Sequence, residues 1–198
     1  MKRQFFSVVA LGAIFMLSAC SESTPISQQV TVVKYVKNSD IEAKGMKQIK
    51  GLMVNLKTAL MSTLKSDKTG IGGMEMCSAS AIDMREKYNS SLPKGSEVRR
   101  TALKYRNPKN KPDTTDVSVM KKLKADNNFK KPLVVDMGDS YRVYKALPIH
   151  KACLTCHGST KKMSPSMLKI IKEKYPNDLA VNFKEKDFRG VVVSTILK

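Results

Sequence analysis

The chain has 198 residues, with 36 lysines and arginines against 17 acidic residues, a formal net charge of +19 and 41% hydrophobic residues. That length holds one ordinary domain, and the basic residues lie in scattered pairs such as Lys121-Lys122, Lys130-Lys131 and Lys161-Lys162 rather than in one block. Such a diffuse positive field suits an anionic membrane or an acidic partner, and in a chain carrying an export signal it does not point to nucleic acid.

The export signal opens the sequence. Lys2 and Arg3 form a charged start, and Phe5 to Leu17 is an apolar run too short to span a bilayer comfortably. It ends in Leu17-Ser18-Ala19-Cys20, which has the form of a bacterial lipobox. Cleavage before Cys20 would leave its thiol at the new N-terminus, ready to take a diacylglycerol. Residues 1–19 therefore read as a lipoprotein signal peptide and residues 20–38 as a lipidated tether. The expected location is the periplasmic side of the cell envelope, anchored by lipid. Ser21, rather than Asp, after the cysteine favours the outer membrane over the inner.

The tether turns into a short β-branched run, Val30 to Val36. Asp40 to Ser66 then has the spacing of a long amphipathic helix, with Met46, Ile49, Met53, Leu56, Leu60 and Leu64 on one stripe. Gly70, Gly72 and Gly73 break it, and a second helix is expected from about Met74 to Tyr88. Its stripe of Met74, Cys77, Ala81, Met84 and Tyr88 turns Cys77 inward. Glu97 to Tyr105 alternates like a strand, and two prolines and two asparagines keep 106–113 out of any helix interior. A short helix is expected over Val117 to Ala125, then strands at Leu133 to Asp136 and Tyr141 to Leu147 joined through Gly138-Asp139. Pro165 opens a helix to Tyr175, and Arg189 to Leu197 forms a β-branched closing strand. This order predicts an α+β domain over residues 39–198, with two long N-terminal helices and an antiparallel sheet.

Between the hairpin and the last helix stands Cys153-Leu154-Thr155-Cys156-His157, a C-x-x-C-H pentamer. The pattern is that of c-type haem attachment: two thiols reach two vinyl groups on one porphyrin edge, and the histidine becomes an axial ligand. A zinc site would need a second Cys/His pair at tight spacing, and a thioredoxin-like pair would need a βαβ surround. The sequence offers neither. With Cys20 assigned to lipid and the motif cysteines to one covalent haem c, Cys77 is the thiol left over among four. It is a candidate distal ligand on an apolar helix face, with His150, Met74 and Met76 as rivals, or else a plain buried thiol.

The segment Arg99-Arg100-Thr101-Ala102-Leu103-Lys104-Tyr105-Arg106-Asn107-Pro108-Lys109-Asn110-Lys111-Pro112-Asp113 resembles the R-T-S-L-K-x-R-N-P-x-N-x-P-D run of a bacterial family of exported, single-haem, PAS-like c-type cytochrome domains. The likeness extends to the Cys77 helix, the haem motif with Gly158, and the Arg189-Gly190 strand; Ala102 departs from the usual Ser. The resemblance implies a PAS-like antiparallel sheet and places the distal iron ligand on Cys77. Arg100 and Arg106, in the basic segment with Arg99 and Lys104, are expected to meet the haem propionates. The expected function is low-potential electron transfer or redox or gas sensing. Its expected partners are a redox or signalling protein with an acidic surface and a diatomic gas. The alternative is a haem enzyme, a small peroxidase or reductase.

Overall fold

The computed structural model describes residues 32–127 and 129–198. The expected signal peptide, the expected lipobox and Cys20 lie outside the described residues. Among those described, no helix is long and apolar enough to cross a membrane.

Five strands form one fully antiparallel sheet: β1 (Lys34–Val36), β2 (Glu97–Thr101), β3 (Leu133–Asp136), β4 (Ser140–Pro148) and β5 (Phe188–Leu197), in the spatial order β1-β3-β4-β5-β2. The β3–β4 hairpin turns at Gly138, whose φ of 96° suits the glycine. The closing strand β5 lies inside the sheet because its run of β-branched residues is buried on both faces. The first strand requires a correction to the expected boundaries. Residues 34–36 fall in the segment expected to be tether, yet they pair with β3, so the folded unit begins ahead of residue 39.

Alternating side chains of the sheet feed two cores. On one face Val98, Val134, Val143, Val192 and Ile196 meet Ile49, Leu52 and Leu56 of α1 (Ser39–Ser66) and Ala81. Gly45 lets α1 lie directly on β4, since a Cβ there would collide with Val143 Cγ2. On the other face Val135, Tyr144, Val191 and Val193 pack against Val119, Met120 and Leu123 of α4 (Thr114–Ala125). The helix α4 begins three residues ahead of its expected start, because Asp113 and Asp116 form a reciprocal capping box.

The second long helix is not the uniform rod that its stripe suggests. It runs as α2 (Ile71–Glu75), a π-helical turn (Met76–Ser80) and α3 (Ala81–Ser90), with Ala81 N–H donating to Met76 O. Gly70 does not merely end α1. It caps α2 in a left-handed conformation, φ 81°, and Gly72 and Gly73 continue inside the helix. The π-turn rotates the two halves relative to one another. Met74 consequently packs with Met167 and Ile171 of α6 (Pro165–Lys174), whereas Met76, Met84 and Tyr88 join the sheet core.

Asp116 is fully buried and binds Arg99 through two hydrogen bonds of 2.8 and 3.1 Å and Tyr144 Oη at 3.0 Å. Substituting Asp116→Ala takes the buried acceptor from Arg99 and Tyr144 and opens half of the capping box, and should lower the unfolding free energy by about 3 kcal/mol in urea titrations. Lys122→Ala, which breaks the exposed pair with Asp126, should leave the urea midpoint at the wild-type value.

Candidate functional site

The C-x-x-C-H pentamer comes soon after the end of β4. Cys153 closes a 3₁₀ turn (Lys151–Cys153), and Leu154–His157 forms one helical turn, α5. It ends at Gly158, whose backbone is extended and where a Cβ would meet Leu154 O at 2.5 Å. The neighbouring sheet is wholly antiparallel, so the motif has no βαβ surround. Among the described residues no three His, Cys, Asp or Glu side chains gather to hold a bare metal ion, and Cys77, Cys153 and Cys156 are all free thiols. The two motif cysteines belong to different satellite clusters. Cys153 packs with Ile149, Ala180 and Phe183, and Cys156 with Met74, Met167 and Ile171.

The loop before β5 fixes the histidine. His157 Nδ1 lies 2.7 Å from Ala180 O, so Nδ1 carries the proton and Nε2 keeps its lone pair. Phe183 N–H donates to His157 O, and the Phe183 ring meets the imidazole edge-on. Burial, with Arg189 and Arg106 nearby, depresses the imidazole to about 3, which leaves it neutral at physiological pH.

Cys77 sits in the π-turn and shares this surround. Burial raises its thiol pKa, and the charges of Arg100, Arg106 and Arg189 oppose that rise. Cys156 is pushed up to about 11, chiefly by burial, and it feels both Cys77 and Cys153. The structure therefore brings Cys77, Cys156 and His157 into one electropositive space. Of the rival ligands, His150 is exposed, Met74 Sδ lies 3.5 Å from Arg106 Nη1, and Met76 is turned to the sheet core.

The three arginines arrive by different routes. Arg100 shares the face of β2 with core residue Val98, while Arg99 points oppositely to Asp116. The pKa of Arg100 is lowered by burial, and the opposing effect comes from Cys77. Arg106 is buried and committed: Nη2 donates to Cys156 O at 2.7 Å, to Asp178 Oδ2 at 2.9 Å and to Ala180 O at 3.3 Å. Its Nε has no hydrogen-bond partner.

Arg189 is a site residue that sequence reasoning misses. Leu147 pairs with Gly190 and Pro148 with Phe188, so Arg189 is the extra residue of a β-bulge. Gly190 has φ 156°, and a Cβ there would meet Thr101 O at 2.5 Å. The bulge lets Arg189 reach the site, where burial and the other two arginines lower it to about 10. An isolated Gly at the head of a β-branched strand is the available signal.

The donor set has a clear chemical character. It offers a neutral imidazole with a free nitrogen, two neighbouring thiols, a third thiol on another helix and an excess of cations, of which Arg106 is buried and Arg100 and Arg189 half-buried. That combination fits an anionic ring-shaped group carrying a metal better than a naked cation.

Comparison with known proteins agrees with the fold. The structure is similar to that in "Crystal structure of the cyanobacterial heme-protein Tll0287", with a TM-score of 0.61 and 24% sequence identity, over 82% of this chain and 98% of that one. No curated protein matches. The family model described as Tll0287-like matches residues 18–196. Because that match spans nearly the whole sequence and the β-sheet architecture agrees with it, the chain belongs to the Tll0287-like family.

Proposed function

We propose that this protein is an exported, lipid-anchored c-type cytochrome that carries one haem and works as a low-potential electron carrier or as a redox or gas sensor. The observation that carries this reading is the C-x-x-C-H turn whose His157 keeps Nε2 free, with Cys77 close enough to act on the Cys156 thiol and Arg100, Arg106 and Arg189 around them. The haem protein among the similar structures supports it. A PAS-like description suits the antiparallel sheet flanked by helices.

In this reading Cys153 and Cys156 hold the group covalently, and His157 offers Nε2 as the proximal ligand. Cys77 offers a thiolate from the π-turn as the distal one. Bound haem supplies a one-electron iron couple and, when a ligand leaves, a position for a diatomic gas. The Ala180 carbonyl keeps the imidazole in the Nδ1–H form. Arg100 and Arg189, with the free Nε of Arg106, answer the negative charge of two propionates. Cys77 would be the residue that sets the potential, because a thiolate ligand would favour the higher oxidation state of a bound iron. Anchoring through Cys20 would hold the domain on the periplasmic side of the envelope, with the outer membrane favoured. The positive surface would meet an acidic redox or signalling partner.

Electronic spectra of the oxidised and reduced holoprotein test the ligand set. Wild type should be six-coordinate, low-spin and thiolate-bound, and Cys77→Ala should lose the thiolate features. An unchanged spectrum would remove Cys77 from the iron, and a resting high-spin wild type would favour the enzyme alternative. The doubly substituted Cys153→Ser, Cys156→Ser protein should release its haem into acidified acetone, whereas wild type should retain it. Cys20→Ala should abolish incorporation of labelled fatty acid and free the protein from membranes.

A further inference from the structure

The buried pair Arg106–Asp178 does more than join two loops. The side chains are 8% and 6% exposed and meet at 2.9 Å. Both also grip the same residue, one on each side of its Cα: Asp178 Oδ1 accepts the Ala180 N–H at 2.8 Å, and Arg106 Nη2 donates to Ala180 O at 3.3 Å. Ala180 is fully buried, and its carbonyl is the one that accepts from His157 Nδ1 at 2.7 Å. Arg106 Nη2 also holds Cys156 O, the carbonyl immediately before His157, at 2.7 Å. One guanidinium thus fixes the backbone from which the imidazole grows and the acceptor toward which it points.

We infer that Arg106 and Asp178 are positioning residues for the His157 imidazole, acting through the main chain of Ala180. The inference rests on the proposed role of His157 as the proximal ligand. The ring can turn about its side-chain bonds only by giving up its bond to Ala180 O or if that oxygen moves with it, and the oxygen belongs to a residue held at both its N–H and its C=O. The pair also sets how much charge the carbonyl can lend. A guanidinium beside Ala180 O competes with the imidazole N–H for its lone pairs, and the Asp178 carboxylate offsets that pull. Removing the carboxylate alone leaves the cation uncompensated, so the Nδ1–H···O bond weakens and the imidazole becomes a poorer donor. The orientation of a metal-bound histidine is commonly fixed by such an outer partner; here it is a neutral carbonyl whose strength a buried ion pair adjusts.

A simple loop tether makes a different forecast, and Lys104 separates the two. Its Nζ holds the adjacent carbonyl, Val181 O, at 2.6 Å and lies 4.5 Å from the centre of the Phe183 ring, so Lys104→Met loosens the same loop, keeps an unbranched side chain against Phe183 and leaves both bonds to Ala180 in place. The experiment uses haem-loaded protein labelled with ¹⁵N-histidine, in the reduced carbon-monoxide-bound form; with two histidines in the chain, His157 is readily assigned. In Asp178→Asn the exchange of the His157 Nδ1 proton with solvent should quicken by about tenfold, as expected for loss of one ordinary hydrogen bond. The iron–imidazole stretching frequency of the reduced protein should fall. Arg106→Lys, which keeps the charge but loses the forked geometry, should also quicken exchange and carries the test if Asp178→Asn does not mature. Lys104→Met should leave both readouts near wild type. Wild-type values in haem-loaded Asp178→Asn or, where that does not mature, in Arg106→Lys would overturn the positioning role, as would equal shifts in Lys104→Met. A wild-type protein with no thioether-bound haem would instead overturn the proposed function itself.

Discussion

Three guanidinium groups crowd the space around Cys77 and His157, and Asp178 is the carboxylate the structure sets against them. Buried charge is costly unless it is matched, so the surplus dictates what this end of the molecule can be. It adds to the burial that keeps the imidazole neutral, opposes the burial-driven rise of the Cys77 thiol pKa, and adds to the depression of Arg189 by burial. An anionic group entering here would relieve the surplus on all three. The capacity of the site therefore follows from a charge imbalance at least as much as from the cysteine spacing.

Two irregularities deliver side chains into that space. A π-turn carries Cys77, and a β-bulge carries Arg189. Each adds one residue to an otherwise regular element and so rotates the residues beyond it. A regular helix could not put Met74 in one small cluster and Ala81 in the sheet core while leaving Cys77 between them. A regular β5 would send Arg189 to the α4 side, where Val191 and Val193 already pack. The sheet and its two covering layers tolerate both departures because these lie away from the middle of the strongly paired strands.

Much of this is legible in the residues. The C-x-x-C-H spacing announces the motif, alternation places β3, β4 and β5, and the spacing of Ile49 and Leu56 locates α1. The leftover Cys77 stands out by its place on an apolar stripe, and the structure does bring it to the motif. Other features leave little trace. Hydrophobic periodicity has no symbol for a single inserted residue, so the π-turn and the bulge are invisible to it, although Gly190 hints at the second. Arg106 reads as a propionate contact, yet its Nη2 turns to Cys156, Ala180 and Asp178. Asp178, in a loop seventy-two residues away, carries no mark of a buried partner. The three residues of β1 look like tether because an edge strand that short has no pattern of its own.

The separation of Cys153 and Cys156 into two satellite clusters bears on how the protein is assembled. One cysteine lies with Ile149, Ala180 and Phe183, the other with α2 and α6, and neither cluster belongs to the two cores that cover the sheet. The sheet can therefore form with its own helices while these outlying patches remain loosely joined. On the reading proposed here, two thioether bonds to one rigid ring would stitch the patches together. The prosthetic group would then act as a late structural rivet, and maturation would be a folding step as well as a chemical one.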